Sequence, residues 1–171
     1  MKKFLRIILL ISLFSVLVST EGFSENSRMS RVIDGDTFEV TVANGKKIQI
    51  DLVGIDAPEM PVKKKIKGQP FSQKALKALS EMILNKPFSY RAYSRVVNNR
   101  ILAVVYSEGK NVNLELLKAG LAEVYRGEMP NGFDVAPYKA AEREAKKAAQ
   151  GIWSLGSVYI SPKVWRRANQ N

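Results

Sequence analysis

Residues 32–52 read VIDGDTFEVTVANGKKIQIDL, and their alternation decides the fold class. Val32, Phe38, Val40 and Val42 share one parity, and Ile48, Ile50 and Leu52 resume it beyond Asn44 and Gly45. A period of two marks strands with one buried face, and an Asn-Gly pair supplies the positive φ angles of a tight hairpin turn. The expectation is a strand running from Ser30 toward Val42, a hairpin, and a second strand over 46–52. Pro58 and Pro61 then end the strand pattern, and Lys63, Lys64, Lys65 and Lys67 crowd an exposed loop.

Downstream the period changes. A helix is expected after Pro70, with Leu76, Leu79 and Ile83 on one face and residues 85–87 as its stop. Residues 88–93 and 100–106 read as two more strands. Asn111 or Asn113 is placed to cap a short helix carrying Leu114, Leu117 and Leu121, interrupted by Gly120. A third helix starts near Pro137, with Tyr138, Ala141, Ala145, Ala148 and Ile152 as a narrow stripe and Gly151 at its end. The stretch from Ser154 shows no clear element. These elements predict an α+β fold: a five-stranded OB-type β-barrel with about three α-helices.

Composition narrows the chemistry. The 171 residues carry 27 Lys and Arg against 16 Asp and Glu, a net charge of +11, with no cysteine and no histidine. Disulfides, thiolate nucleophiles, imidazole bases and imidazole-ligated metals are excluded. Lys2, Lys3 and Arg6 precede an apolar run, 7–18, too short to span a bilayer comfortably. Residues 1–24 are therefore read as a signal peptide, residues 29–155 as the folded domain and 156–171 as a basic extension. Export to the periplasm or medium is expected, with no stable membrane association after cleavage.

Against this basic background Asp34, Asp36, Asp51, Asp56 and Glu59 fall close together, interrupted by no basic residue but Lys46 and Lys47. Asp34 with Gly35 is by itself a common turn. Asp34 and Asp36 nevertheless lie on the parity of the core side, where a carboxylate is costly unless paired or metal-bound. A bulge at Gly35 would turn both toward a cleft. Asp56 and Glu59, three residues apart around Pro58, can supply one metal ligand and one base, or merely cap a solvated turn. Neither segment follows the pattern of a calcium-binding helix-loop-helix.

Six ordered blocks resemble the staphylococcal (micrococcal) nuclease family, the thermonucleases: VIDGDT (32–37), LVGIDAPE (52–59), GQPF (68–71), NNRILA (98–103), VNLELLKAGLAEVYR (112–126) and GIWS (151–154). The resemblance implies an OB-fold enzyme that uses Ca2+ to cleave DNA and RNA, leaving 3′-phosphates. On that pattern Asp36 and Asp56 ligate calcium by carboxylate and Ala57 by its backbone carbonyl. Glu59 positions or deprotonates the attacking water, and Arg100 binds the phosphate. The chemistry of the residues agrees, since calcium favours oxygen ligands and a planar guanidinium suits phosphoryl oxygens.

Two departures stand out. The family's second phosphate-clamping arginine falls at Asp51, which reverses two units of charge beside an anionic substrate. Asp51 is either a damaged corner or an extra metal ligand. The base-stacking tyrosine before Arg100 is also missing, since residues 96–99 read Val96, Val97, Asn98 and Asn99; Tyr93, Tyr125, Arg95 and Arg126 are placed to compensate. The lysine loop and the tail around Trp165, Arg166 and Arg167 are each open to two readings, a solvated face or a contact with a polyanion. The reading adopted is an exported, calcium-dependent nuclease acting on single- or double-stranded DNA or RNA, as a monomer. Its rival is an OB module that binds nucleic acid without cutting it.

Overall fold

A computed structural model describes residues 28–61, 67–94 and 96–169. The predicted signal segment, Arg95 and the lysines at 63–65 lie outside the described residues. The hairpin marked by Asn44 and Gly45 forms as expected: β2 (Thr37–Thr41) pairs antiparallel with β3 (Lys47–Leu52), setting Phe38 opposite Ile50 and Val40 opposite Ile48. Upstream the expectation fails, because the chain does not run as one bulged strand. It reverses between β1 (Arg28–Val32) and β2, so Asp34 and Asp36 sit in a hairpin loop closed by Val32 against Phe38. The N–H groups of Ile33 and Asp34 both point to the Thr37 carbonyl, at 2.9 and 3.3 Å, which makes the reversal.

The remaining strands are β4 (Ile55–Asp56), β5 (Phe88–Ala92), β6 (Arg100–Ser107), β7 (Lys110–Asn111) and β8 (Glu123–Val124). The main sheet has the order β1-β2-β3-β6-β5 with β7 added on β6, and β3 runs parallel to β6. β4 and β8 form a separate pair that sets Asp56 opposite Glu123. The α+β class is as predicted, with five long-path strands and three short ones.

The helices are α1 (Ser72–Ile83), α2 (Val112–Lys118), α3 (Ala136–Lys147) and α4 (Pro162–Asn169), joined between α3 and α4 by a 3₁₀ stretch, Gly151–Val158. The fourth was unforeseen. α1 buries Leu79 and Ile83 as predicted, with Ala75 in the place expected of Leu76, which is only half-buried. α2 is capped by the Asn111 side chain and buries Val112, Leu116 and Leu117 rather than Leu114 and Leu121. α3 buries Tyr138, Ala141 and Ala145, and its stripe stops before the exposed Ala148.

These faces close on the β2, β3 and β6 side chains around a core that includes Phe38, Ile50, Val105, Leu79 and Leu116. Asn113 is fully buried and fully used. Its amide donates to the carbonyls of Val53 and Ala103, at 2.9 and 3.2 Å, and accepts from Val105 N–H at 3.0 Å. That ties α2 to β6 and to the end of β3, the segment leading to Asp56. Gly120 and Gly151, at φ 63° and 53°, lie backbone against backbone, with Ile152 N–H donating to the Gly120 carbonyl at 2.8 Å. A Cβ on either would meet the other segment's carbonyl group.

α3 is fixed to β8 by Glu142. Its carboxylate accepts from Val124 N–H at 2.8 Å, from Lys146 Nζ at 3.0 Å and from Arg126. Burial pushes this carboxyl up, but the Arg126, Val124 and Lys146 donors outweigh it and leave the group below its ordinary value. A depressed carboxyl stabilises the fold above its unfolded pKa and loses that stability as pH falls through the folded value. Glu142→Gln should therefore lower stability by about 1–2 kcal/mol at pH 7. In melts of both proteins the difference should begin to shrink as pH falls through the ordinary glutamate range and vanish only below the depressed folded value, where the wild-type carboxyl is neutral in both states.

Candidate active site

The site is assembled from two loops and one strand end. Asp36 leaves the β1–β2 loop, Asp56 sits in β4, and Ala57 N–H donates to Asp36 Oδ2 at 2.7 Å, joining the two segments. The approach is tight because Gly35 lies against both α1 and this loop. A Cβ there would come within 2.6 Å of Ala75 Cβ and 2.7 Å of Ala57 Cβ. Asp34 faces inward too: its Oδ1 accepts from Asp36 N–H at 3.1 Å. Asp36 is half-buried and its carboxyl is pushed well above the usual range, first by burial and then by the charge of Asp34, with Asp56 adding to it. Asp56 is buried.

Arg100 is delivered by a two-residue turn. Val97 and Arg100 exchange both backbone hydrogen bonds, at 3.0 and 2.9 Å, around Asn98 and Asn99 with φ of 51° and 61°. Asparagine tolerates that left-handed conformation better than most residues, so the altered 96–99 segment still makes a hairpin turn. The guanidinium then forms a fork on Asp51, with Nε to Oδ2 at 3.0 Å and NH2 to Oδ1 at 2.8 Å. Thr37 Oγ1 bridges Asp51 and Asp36, at 3.1 and 3.2 Å, with a single proton to give to either. Asp51 is thus clasped by Arg100, and the Arg100 side chain remains about half exposed.

A cleft of about 280 Å³ is lined by Asp36, Asp51, Asp56, Arg100, Leu102 and Tyr125, among others. Tyr125, 40% exposed, presents an aromatic face to it. Tyr93 is instead packed edge-on against Phe133 at 5.2 Å, under Arg91. Arg126 does not line the cleft; it pairs with Glu142 and lies 3.9 Å from Glu123. Lys67 is exposed.

Glu59 stands beside the cleft, half-buried, with a carboxyl raised by burial against the opposing pull of Arg166. Arg166 is the residue that sequence reading did not place. It comes from α4, in the basic extension, and its NH1 and NH2 donate to Asp56 Oδ1 and Oδ2 at 2.8 and 2.9 Å. NH1 also reaches Glu59 Oε1. No local pattern signals a contact across so much chain. The only hint was the cluster of basic and aromatic residues at 165–167.

These oxygens suit a hard cation. Among the described residues no three acidic, His or Cys side chains close up tightly enough to hold a metal by themselves. A site here would combine two carboxylates with backbone carbonyl and water, a set calcium accepts. The raised carboxyl of Asp36 marks negative charge that a cation would relieve.

A family model described as staphylococcal nuclease homologue matches residues 49–155. The chain belongs to that family. Among curated relatives, an uncharacterized endonuclease of Haemophilus influenzae is 33% identical over 158 residues, covering 92% of this chain and 82% of that one. An uncharacterized endonuclease of Escherichia coli is 32% identical over 167 residues, 97% of this chain and 98% of the other. A probable endonuclease of Verticillium alfalfae is 38% identical over 133 residues, 74% of this chain but only 46% of its own length. In this nuclease-family domain the matched span holds Asp51, Asp56, Glu59 and Arg100; Asp36 and Arg166 fall on either side of it.

Proposed function

We propose that the protein is an exported, calcium-dependent nuclease that hydrolyses phosphodiester bonds of DNA or RNA with little sequence preference. The observation that carries this reading is the Ala57-to-Asp36 hydrogen bond, which brings the two ligand-bearing loops into one acidic corner with Arg100 at its rim. Family membership and relatives named as endonucleases support it, as does the metal dependence of the family. Among the described residues no helix is long and apolar enough to cross a membrane, and the leader-like residues 1–24 support export.

Asp36, Asp56 and the Ala57 carbonyl would hold the calcium ion, which when bound polarises a phosphoryl oxygen and offsets its charge. Glu59 takes a proton from the water whose oxygen attacks phosphorus. As that O–P bond forms, the bond from phosphorus to the 5′ oxygen breaks and that oxygen takes a proton from solvent while Glu59 gives its own back to solvent, leaving a 3′-phosphate and a 5′-hydroxyl. Arg100 donates to the equatorial oxygens, where charge grows in the transition state. Tyr125 and the apolar wall at Leu102 offer a surface on which a base can stack. The overall positive charge draws the polyanion in.

Calcium should raise the melting temperature of the wild type, because a ligand that binds only the folded state stabilises it. Asp36→Ala should abolish both that shift and cleavage while the metal-free protein still folds. Glu59→Gln should keep the shift and lower the rate by about 10²–10⁴-fold. A wild type insensitive to calcium in the melt would remove the metal site.

The Arg100–Asp51 fork supports the damaged-corner view of Asp51, because it occupies Nε and NH2 of the guanidinium that would otherwise clamp the phosphate. Asp51→Asn keeps the shape and removes the anion. It should raise single-strand cleavage by up to about 5-fold at low salt, the scale of an exposed ion pair worth roughly 1 kcal/mol. If Asp51 were a calcium ligand, the same variant would instead weaken calcium binding and cleavage together.

A further inference from the structure

Arg166 is held on a rigid mount. Pro162, the first residue of α4, is buried. Tyr159 donates its hydroxyl hydrogen to Glu123 Oε2 at 2.9 Å, and Lys163 Nζ donates to the Arg126 carbonyl at 3.2 Å. The buried Gln69 bridges the tail directly to the site: its Nε2 donates to the Ile160 carbonyl at 2.8 Å, and its Oε1 accepts Glu59 N–H at 2.9 Å. The backbone of Glu59 and the chain leading into α4 are therefore fastened to the same side chain. From this mount one guanidinium spans two carboxylates, taking Asp56 by both oxygens and Glu59 by Oε1. Asp56 lines the cleft, whereas Arg166 and Glu59 stand beside it. Glu59 Oε2 accepts no hydrogen bond among the described residues, so on the nuclease reading it is the oxygen that would take the proton.

We propose that Arg166 is a positioning residue for the nuclease reaction: it fixes Glu59 and Asp56 relative to each other, so that base and ligand act from one geometry. The inference rests on the nuclease reading above and gives the C-terminal extension a part in the active site. A planar guanidinium holds two carboxylates in a fixed relative geometry, whereas a lysine ammonium is a compact charge on a flexible stem that does not impose one. Outer residues that orient ligands and bases in this way typically contribute about 10–100-fold to activity.

The test uses the full chain as wild type, Arg166→Lys, Arg166→Ala, Asp56→Asn and the Arg166→Ala/Asp56→Asn double variant. In metal-free melts, Arg166→Ala should lower the melting temperature far more in the wild type than in the Asp56→Asn background, which reports the contact without any catalysis. In steady-state cleavage of single-stranded DNA with calcium, Arg166→Ala should lower kcat about 10–100-fold with KM nearly unchanged. Added ethylguanidinium should restore much of that loss, and Arg166→Lys should not. Calcium should bind Arg166→Ala at least as tightly as the wild type, since a neighbouring cation has been removed. Faster turnover in Arg166→Ala would make the residue a plug and overturn the proposal. A rise in KM alone would make it a substrate contact, and a loss that guanidinium cannot rescue would make it a structural tie; either overturns it. Additive melting shifts would show that the contact does not exist. A wild type that cleaves nothing overturns the nuclease reading and this inference with it, whereas an equally active Arg166→Ala overturns this inference alone.

Discussion

Asp34, Asp36, Asp56 and Glu59 converge on one corner of a protein whose sequence carries a net charge of +11. Like charges brought together away from bulk water repel, and the repulsion grows as the surroundings lose polarity. Much of the architecture around the corner answers that repulsion. Ala57 N–H sits on one oxygen of Asp36, Thr37 Oγ1 lies within reach of the other, and Arg166 covers both oxygens of Asp56. Burial, and then the charge of Asp34, still hold the Asp36 carboxyl well above the usual range. A set of oxygen ligands strained in this way is what a hard cation relieves, so the electrostatic problem and the proposed chemistry are two sides of one arrangement.

The framework that enforces this convergence was largely legible in the sequence. The Asn44–Gly45 hairpin, the β6 strand and the α3 start at Ala136 and Pro137 follow from local rules of turn and period. What local rules missed has physical causes. Asp34 and Asp36 share the parity of Val32 and Phe38 in a linear count, yet the chain turns between Ile33 and Asp36, and a turn resets the alternation. α1 chooses Ala75 over Leu76 for its buried face because the small side chain allows the Gly35 loop to press close. α4 carries no broad apolar stripe; its place is fixed by Pro162 and by polar ties to Gln69 and Arg126, which only the folded chain brings together.

The candidate site divides along the same line. Asp36, Asp56, Ala57, Glu59 and Arg100 were named on the resemblance to the nuclease family, and the fold gathers them in and beside one cleft. Tyr125 joins that cleft from β8's end, whereas Arg126, named with it, turns to Glu142. Neighbours in sequence at a strand end point to opposite sides, so a shared motif did not mean a shared role. The pairing of Asp51 with Arg100 could be guessed from opposite charge, but only the parallel β3–β6 register, which sets Gln49 beside Arg100, shows the two side chains within reach.

The account turns on whether this corner does chemistry or only grips a polyanion, since a binding module would share the basic surface, the aromatic wall and the salt dependence. The decisive measurement is the fate of an end-labelled single-stranded DNA incubated with the full chain in calcium, beside a matched sample containing chelator. The account predicts shortening to fragments that end in 3′-phosphate and 5′-hydroxyl, with no shortening in the chelated sample. DNA that is retained by the protein yet recovered at full length in calcium would contradict it.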